Sequence, residues 1–319
     1  MDKNSKIYIA GHRGLAGSAI QRELRRQGYT NLIGCTHAEL DLEDAVATQQ
    51  FFDRERPDIV FLAAAKVGGI YANNTYPVEF LMSNLLIEAN VCRAAYSTQV
   101  NRLIFLGSSC IYPRDCPQPI KEEYLLAGIL ESTNRAYALA KIVGVEMCWS
   151  YNREYGTKWL AAMPTNLYGP GDNYDLNNAH VLPALIRKMH EAKLSGACEV
   201  VLWGSGKPRR EFLYVDDLAN ALVFLATLND ERYNTLVAPA QCPLINVGTG
   251  TDMTIRELAE TIADVVGYRG KFIQDTSKPD GTMRKVLDVS KMQDLGWKAK
   301  TSLKEGLGLT YKVFGEPQS

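Results

Sequence analysis

At 319 residues, the chain is long enough for one large domain or two intimately joined ones. It is 46% hydrophobic and 22% charged, a mix that buries a sizeable core and excludes global disorder. Lysines and arginines number 35 against 36 aspartates and glutamates, a formal net charge of −1, without the clustered basic excess of a nucleic-acid surface.

No stretch approaches the roughly 20 apolar residues of a membrane span. The opening Met1-Asp2-Lys3-Asn4-Ser5-Lys6 leads into only a short apolar run with no cleavage-site pattern, so neither a signal peptide nor a membrane partner is expected. The seven cysteines, Cys35, Cys92, Cys110, Cys116, Cys148, Cys198 and Cys242, are scattered and odd in number. They read as free thiols in a reducing cytoplasm, with no disulfide frame and no metal site.

Lys6–Ala10 reads as a strand, followed by a glycine-rich turn and a helix over Ser18–Gln27 that Gly28 stops. Ile59–Ala65 is almost continuously apolar, as a central parallel strand is. Phe80–Tyr96 is helical in pattern, and Arg102–Gly107 is another buried strand, ending in Ser108-Ser109-Cys110. Asn134–Tyr155 is a long helix, and the strand Trp159–Met163 runs into the loop Pro164-Thr165-Asn166-Leu167-Tyr168-Gly169-Pro170-Gly171. This alternation predicts an α/β fold, a Rossmann-type doubly wound parallel sheet with helices on both faces.

After about residue 170 the alternation breaks. Glu211–Tyr214 and Val215–Ala226 read as strand and helix, Thr254-Ile255-Arg256-Glu257 is a capping box opening a helix to about Val266, and Ser302-Leu303-Lys304-Glu305 opens the last helix. The expected organisation is a dinucleotide-binding domain over residues 1–170. Residues 171–319 form mainly a smaller, interleaved C-terminal α/β substrate lobe, with some segments returning to the first domain.

Gly11-His12-Arg13-Gly14-Leu15-Ala16-Gly17 has the spacing GxxGxxG between a strand and a helix. Glycines let the backbone approach a pyrophosphate, and the helix N-terminus presents free N–H groups at the positive end of its dipole. The end of the second strand, Ile33-Gly34-Cys35-Thr36-His37, lacks the acidic residue that would hold a ribose 2′-hydroxyl, while Arg13 can pair with a 2′-phosphate. This favours NADP(H) over NAD(H), with Asp41-Leu42 flanking the adenine.

Tyr137 and Lys141 stand four apart on one helix face. A nearby ammonium favours a phenolate, so Lys141 is expected to lower the Tyr137 pKa and let it exchange a proton with a sugar oxygen as hydride moves at the adjacent carbon. The pair is weak evidence alone. Its position gives it force, on a helix after the strand that ends in Ser108-Ser109, because the C-terminal ends of parallel strands face the cofactor crevice.

These features resemble the extended short-chain dehydrogenase/reductases over nearly the whole chain. The narrower strings Ala63–Tyr76 (AAAKVGGIYANNTY), Leu106–Pro113 (LGSSCIYP), Met163–Gly169 (MPTNLYG), Trp203–Gly206 (WGSG), Arg210–Asp217 (REFLYVDD) and Ser277–Thr282 (SKPDGT) are similar to its GDP-L-fucose synthase group. The resemblance implies a GDP-4-keto-6-deoxy-D-mannose substrate, epimerised at C3 and C5 and then reduced by NADPH at C4. It implies Cys110 as base and His180 as acid for the proton transfers. Tyr137 would protonate the C4 oxygen, Ser108 would hold it, and Lys141 would hold the nicotinamide ribose. The implied cofactor contacts are Gly11–Gly17, Asp41-Leu42, Leu106-Gly107-Ser108-Ser109, Lys141, Pro164-Thr165-Asn166-Leu167 and His180. Lys188, Trp203, Arg210 and Asp280 are implied for the GDP-sugar, and the helices Phe80–Tyr96 and Asn134–Tyr155 for a homodimer interface. Lys188 supplies a point charge and not the fork of an arginine.

Three other functions compete. A 4,6-dehydratase of the same fold is expected to carry an acidic pair where Ser109-Cys110 stands. A simple 4-epimerase needs neither Cys110 nor His180. A non-catalytic NADP-binding sensor tends to lose the Tyr–Lys pair that this chain keeps.

Overall fold

The computed structural model describes residues 1–176, 178–277 and 280–315. The first strands and helices are β1 (Ile7–Ala10), α1 (Leu15–Arg26), β2 (Leu32–Ile33), α2 (Ala45–Glu55), β3 (Ile59–Leu62), α3 (Ile70–Thr75), α4 (Pro77–Ser97), β4 (Arg102–Leu106), α5 (Arg135–Tyr155) and β5 (Lys158–Pro164). The chain continues through β6 (Asn166–Tyr168), α6 (Val181–Ser195), β7 (Glu199–Trp203), β8 (Arg209–Arg210), β9 (Phe212–Tyr214), α7 (Val215–Thr227) and α8 (Asp230–Leu236). It ends with β10 (Leu244–Val247), β11 (Met253–Thr254), α9 (Ile255–Val266), β12 (Lys271–Asp275), β13 (Arg284–Lys285), α10 (Ser290–Asp294) and α11 (Leu303–Gly315).

Six strands form one parallel sheet in the order β2-β1-β3-β4-β5-β10. Alternation along each strand builds its two cores. Ile7 and Ile9 of β1, with Phe61 of β3, face a layer containing Ile20 of α1 and Leu222 of α7. Tyr8 and Ala10, with Val60 and Leu62, face a layer containing Phe52 of α2, Val91 of α4 and Val145 of α5. A sheet buried on both faces needs apolar residues at every position, and the β1 and β3 side chains are all buried. The fold is therefore the doubly wound α/β architecture expected from the pattern.

The strand order reverses direction between β1 and β3, which opens a crevice at their C-terminal ends. The two loops there meet: a Cβ on Gly11 would lie 2.8 Å from the Ala64 amide nitrogen. That contact shortens the third strand, which ends at Leu62 and not at Ala65. Helix α1 begins at Leu15 and not at Ser18, because the last part of the glycine turn is already helical, with the Ser18 amide bonded to the Gly14 carbonyl at 2.9 Å.

A third core joins α6, α9 and α11 to β7, β6 and β9, around Tyr168, Leu182, Leu202, Tyr214, Leu258 and Leu307. The small sheets there are β12-β7, β6-β9 and β11-β8-β13. Two segments beyond residue 170 pack on the main sheet: β10 pairs with β5, and α7 lies against α1. The capping box opening α9 is present, with Thr254 and Glu257 bonded reciprocally. Among the described residues no helix is long and apolar enough to cross a membrane.

Candidate active site

The glycine turn leaves β1 with Gly11 at φ +82°, a left-handed conformation that favours glycine. Its third glycine is fixed by contact, since a Cβ on Gly17 would fall 2.1 Å from the Gly11 carbonyl oxygen. Gly14 caps α1 without a side-chain bond to the first amides, which leaves them available to an anion. The turn therefore fits a pyrophosphate. Gly17→Ala is expected to push α1 off the turn, costing about 1–3 kcal/mol of stability by overpacking. Thermal unfolding and NADPH titration should both report the loss.

His12 packs its ring on Gly34, where a Cβ would sit 2.4 Å from the imidazole, and Arg13 is exposed beside it. A carboxylate unforeseen in the sequence stands close by. Glu39 accepts the Thr36 amide at 2.7 Å, and that bond, helped by Arg13 and His12, holds its pKa below the usual carboxylate range. Leu42 is in the core, with its carbonyl held by Asn90 of α4 at 2.9 Å, and the Asp41 carboxylate accepts the Glu43 amide.

At the end of β4, Gly107 admits Met163, where a Cβ would be 1.8 Å from the methyl carbon. Ser108 opens a single helical turn over 109–111, its hydroxyl accepting the Cys110 amide at 3.4 Å. Ser109 and Cys110 are buried in that turn. Burial pushes the Cys110 thiol pKa up, opposed by Lys285 of β13, by Ser108 and by Lys141. Tyr137 of α5 shares the same field: burial, then Cys110 and Glu88, push its phenol well up, and the Ser108 hydroxyl pulls it down. Ser108, Cys110, Tyr137 and Lys285 thus form one electrostatic cluster.

The expectation that Lys141 lowers the Tyr137 pKa is corrected here. The Lys141 ammonium lies 3.1 Å from Glu88 of α4 and donates to the Leu106 carbonyl at 3.3 Å. Both side chains are 1% exposed, so Lys141 has a partner of its own, burial raises the Glu88 carboxyl against the pull of Lys141, and burial above all, then Cys110 and Glu88, raises the phenol.

His180 caps α6 without bonding an amide through its ring. It is exposed to solvent, and the protein around it lowers the imidazolium pKa by desolvation. Its loop is tied to the AAAKVGG segment, because the Gly69 amide donates to the Asn178 carbonyl at 3.0 Å. Gly68 in turn rests on Phe80, whose ring meets Tyr137 edge-on at 6.3 Å. Packing thus links the His180 loop to Tyr137 with no direct bond between the two side chains.

Thr165 and Asn166 both donate to the Glu211 carbonyl, at 3.2 and 2.8 Å, while the Glu211 carboxylate accepts the Thr249, Gly250 and Leu287 amides. The backbone carbonyl of Glu211 thus holds Thr165 and Asn166, and its buried carboxylate gathers the chain at 249–250 and 287. In the smaller lobe the Lys188 ammonium stands 5.1 Å over the exposed Trp203 ring. Asp280 accepts the amide and hydroxyl of Ser205, and Arg210 donates to the Thr282 carbonyl at 2.5 Å. Lys278 and Pro279 of the SKPDGT string lie outside the described residues.

Glu88 and Lys285 carry no motif. The one signal for Glu88 is a lone acid in the apolar run Leu85-Leu86-Ile87-Glu88-Ala89-Asn90-Val91. Lys285 reaches the cluster through the pairing of β13 with β8, which sets it beside Arg210.

The chain matches the model of the NAD dependent epimerase/dehydratase family over residues 7–237. It is 55% identical to GDP-L-fucose synthase 1 of Arabidopsis thaliana, covering 97% of this chain and 93% of the relative. It is 54% identical to GDP-L-fucose synthase of Escherichia coli, covering 98% and 97%. A GDP-D-glycero-L-gluco-heptose synthase from Campylobacter jejuni, solved in the presence of NADPH, superposes with a TM-score of 0.92 at 37% identity, covering 99% of this chain and 100% of that one.

Proposed function

The chain belongs to the NAD dependent epimerase/dehydratase family, and from that premise we propose that it converts GDP-4-keto-6-deoxy-D-mannose to GDP-L-fucose, epimerising C3 and C5 and reducing C4 with NADPH. The observation that carries this reading is the cluster of Ser108, Cys110 and Tyr137 at the C-terminal end of β4. Reduction alone needs the tyrosine. A buried thiol in the same field adds a group for moving protons at carbon.

The C4 ketone acidifies the hydrogens at C3 and C5. Cys110 takes a proton on one face of the sugar, and His180 returns one on the other. In these roles Cys110 acts as the thiolate, which Lys285 favours against burial, and His180 acts as the imidazolium, which desolvation disfavours. NADPH, when bound, supplies the hydride for C4. Tyr137 then gives its proton to the C4 oxygen while Ser108 holds that oxygen. A phenol with a raised pKa is protonated at neutral pH, the form a donor requires.

The turn Gly11–Gly17 holds the pyrophosphate, Arg13 reads the 2′-phosphate, Lys141 faces the nicotinamide ribose, and Asp41-Leu42, Leu106–Ser109 and Pro164–Leu167 shape the rest of the cofactor site. Residues 1–170 serve the cofactor and residues 171–319 mainly the sugar nucleotide. Lys188 and Arg210 face the diphosphate, Trp203 stacks, and Asp280 accepts hydroxyl groups. The chain works as a homodimer through α4 and α5, supported by the exposed apolar stripe Val78, Met82, Leu86 on α4 and by Leu139 and Val143 on α5. Its seven cysteines are unpaired, which supports a cytoplasmic setting.

Incubation with GDP-4-keto-6-deoxy-D-mannose and NADPH in deuterated water tests the reading. The expected result is NADPH consumption with deuterium at C3 and C5 of GDP-L-fucose. Neither consumption nor exchange would overturn it in favour of another sugar-nucleotide reaction. Arg13→Ala is expected to weaken NADPH binding by roughly 10- to 100-fold, the worth of one charge-assisted bond, and to leave NADH binding unchanged. Fluorescence titration with each nucleotide checks it.

A further inference from the structure

We infer that Asn246, in the edge strand β10, is a positioning residue that holds the Lys285 strand against the Cys110 turn and so sets the thiol to work as the base at C3 and C5. The inference rests on the role proposed above for Cys110. Asn246 itself is 0% exposed, so it acts through other groups.

Asn246 is the one polar residue in Leu244-Ile245-Asn246-Val247, a strand buried along its whole length. Such strands are ordinarily apolar throughout. A buried amide that breaks the pattern needs partners, and each partner here comes from a different segment. The Tyr112 hydroxyl donates to Asn246 Oδ1 at 2.6 Å. Asn246 Nδ2 donates to the Ile120 carbonyl at 2.9 Å and to the Asp288 carbonyl at 3.1 Å. The Asn246 backbone amide donates to the Glu122 carboxylate at 3.0 Å.

Two of these partners lead to the site. Tyr112 closes the turn that carries Cys110, with its amide donating to the Ser109 carbonyl at 3.4 Å. Asp288 follows β13, which carries Lys285. The segment between them ties the same chain again. Ile120 donates to the Val286 carbonyl and accepts the Asp288 amide, both at 2.8 Å, and Gln118 Oε1 accepts the Val286 amide at 2.9 Å. Apolar packing is non-directional, whereas a satisfied buried polar network specifies one arrangement. The bridge Tyr112–Asn246–Asp288 therefore fixes how the turn and the strand sit against each other.

That placement matters because Lys285 is the main cation acting on Cys110, against the burial that pushes the thiol up. The other groups facing the thiol are Ser108 at the head of its turn, and Lys141 and Tyr137 from α5. Cys116, Arg210 and Glu131 face Lys285. A cation about 7 Å from a thiolate, at an effective dielectric near 20, lowers its pKa by roughly one to two units. Loosening the bridge gives up part of that effect, so the base form appears at higher pH.

The test is the pH profile of deuterium uptake at C3 and C5, measured with NADP⁺ so that reduction does not run. Tyr112→Phe cuts one end of the bridge and keeps the ring, and should move the climb of exchange up by about one unit. Lys285→Met should move it up by about one to two units. Adding Tyr112→Phe to Lys285→Met should move it no further, since both act through the same cation. An unmoved climb in either single variant overturns the inference, whatever the rate. An equal shift from Tyr112→Phe with and without Lys285 overturns it too.

Should Tyr112→Phe fail to fold by circular dichroism, Asn246→Ser, which shortens the bridge at its centre, takes its place. The ultraviolet thiolate band of each protein, read against the same protein carrying Cys110→Ser, gives the midpoint without substrate. A wild type that exchanges no deuterium sinks the functional reading, and the thiolate titration still decides whether Asn246 sets the thiol through Lys285.

Discussion

Tyr137→Phe is expected to lower the rate of NADPH oxidation by roughly 10²- to 10⁴-fold, the usual contribution of a positioned general acid, while deuterium still enters C3 and C5. The substitution removes one oxygen and keeps the ring. That ring is held edge-on by Phe80 at 6.3 Å and 88°, a contact phenylalanine makes equally well, so the helix and the cofactor crevice should be unchanged. What disappears is the proton for the C4 oxygen and the partner of the Ser108 hydroxyl. Exchange at carbon depends on Cys110 and His180, which stay. The half-reactions should therefore separate, giving an epimerised ketone that is not reduced. Stopped-flow NADPH fluorescence with NMR of the sugar reads both. Oxidation at the wild-type rate in this variant would remove Tyr137 as the donor.

The phosphate end of the site was legible because its chemistry is local. A turn that needs Gly11 at positive φ and Gly17 against the Gly11 carbonyl must write glycines at fixed spacing. The alternating elements were legible for a similar reason. Strands buried on both faces, such as β1 and β3, have no freedom to carry polar residues. Boundaries slipped where tertiary contact decided them, as at Leu62, beyond which the loop rides over Gly11.

The charge balance around Tyr137 was not legible, because it joins three separate parts of the chain. Tyr137 and Lys141 are neighbours in sequence, and their spacing suggests a cation acting on a phenol. Glu88 enters from α4, 53 residues away, to pair with Lys141, and burial of the phenol sets the direction of its shift. Lys285 enters from a two-residue strand whose only sequence feature is an adjacent arginine. Spacing reports which groups share a helix face. It is silent on which counter-charge the opposite helix brings.

Cys110→Ser is expected to suppress C3 and C5 exchange by roughly 10²- to 10⁴-fold, because a serine hydroxyl cannot take the place of a thiolate as base. The thiol is buried in the turn over 109–111, with Lys285 as its main cationic neighbour. Since burial raises its pKa, the base form grows as pH rises. Wild-type exchange should climb with pH until the thiol is fully ionised, and the serine variant should lose that climb. Serine occupies the same space, and its hydroxyl costs about 1–3 kcal/mol if left unsatisfied, so thermal unfolding should accompany the kinetics. NADPH binding should be largely kept, because Cys110 is not itself among the cofactor contacts. Tyr137 remains able to donate, so slow NADPH oxidation should continue on the unepimerised ketone and give a 6-deoxyhexose of unchanged C5 configuration. Deuterium uptake at the wild-type rate in a folded Cys110→Ser protein would remove the thiol from the mechanism and leave His180 and a solvent molecule to carry the proton transfers.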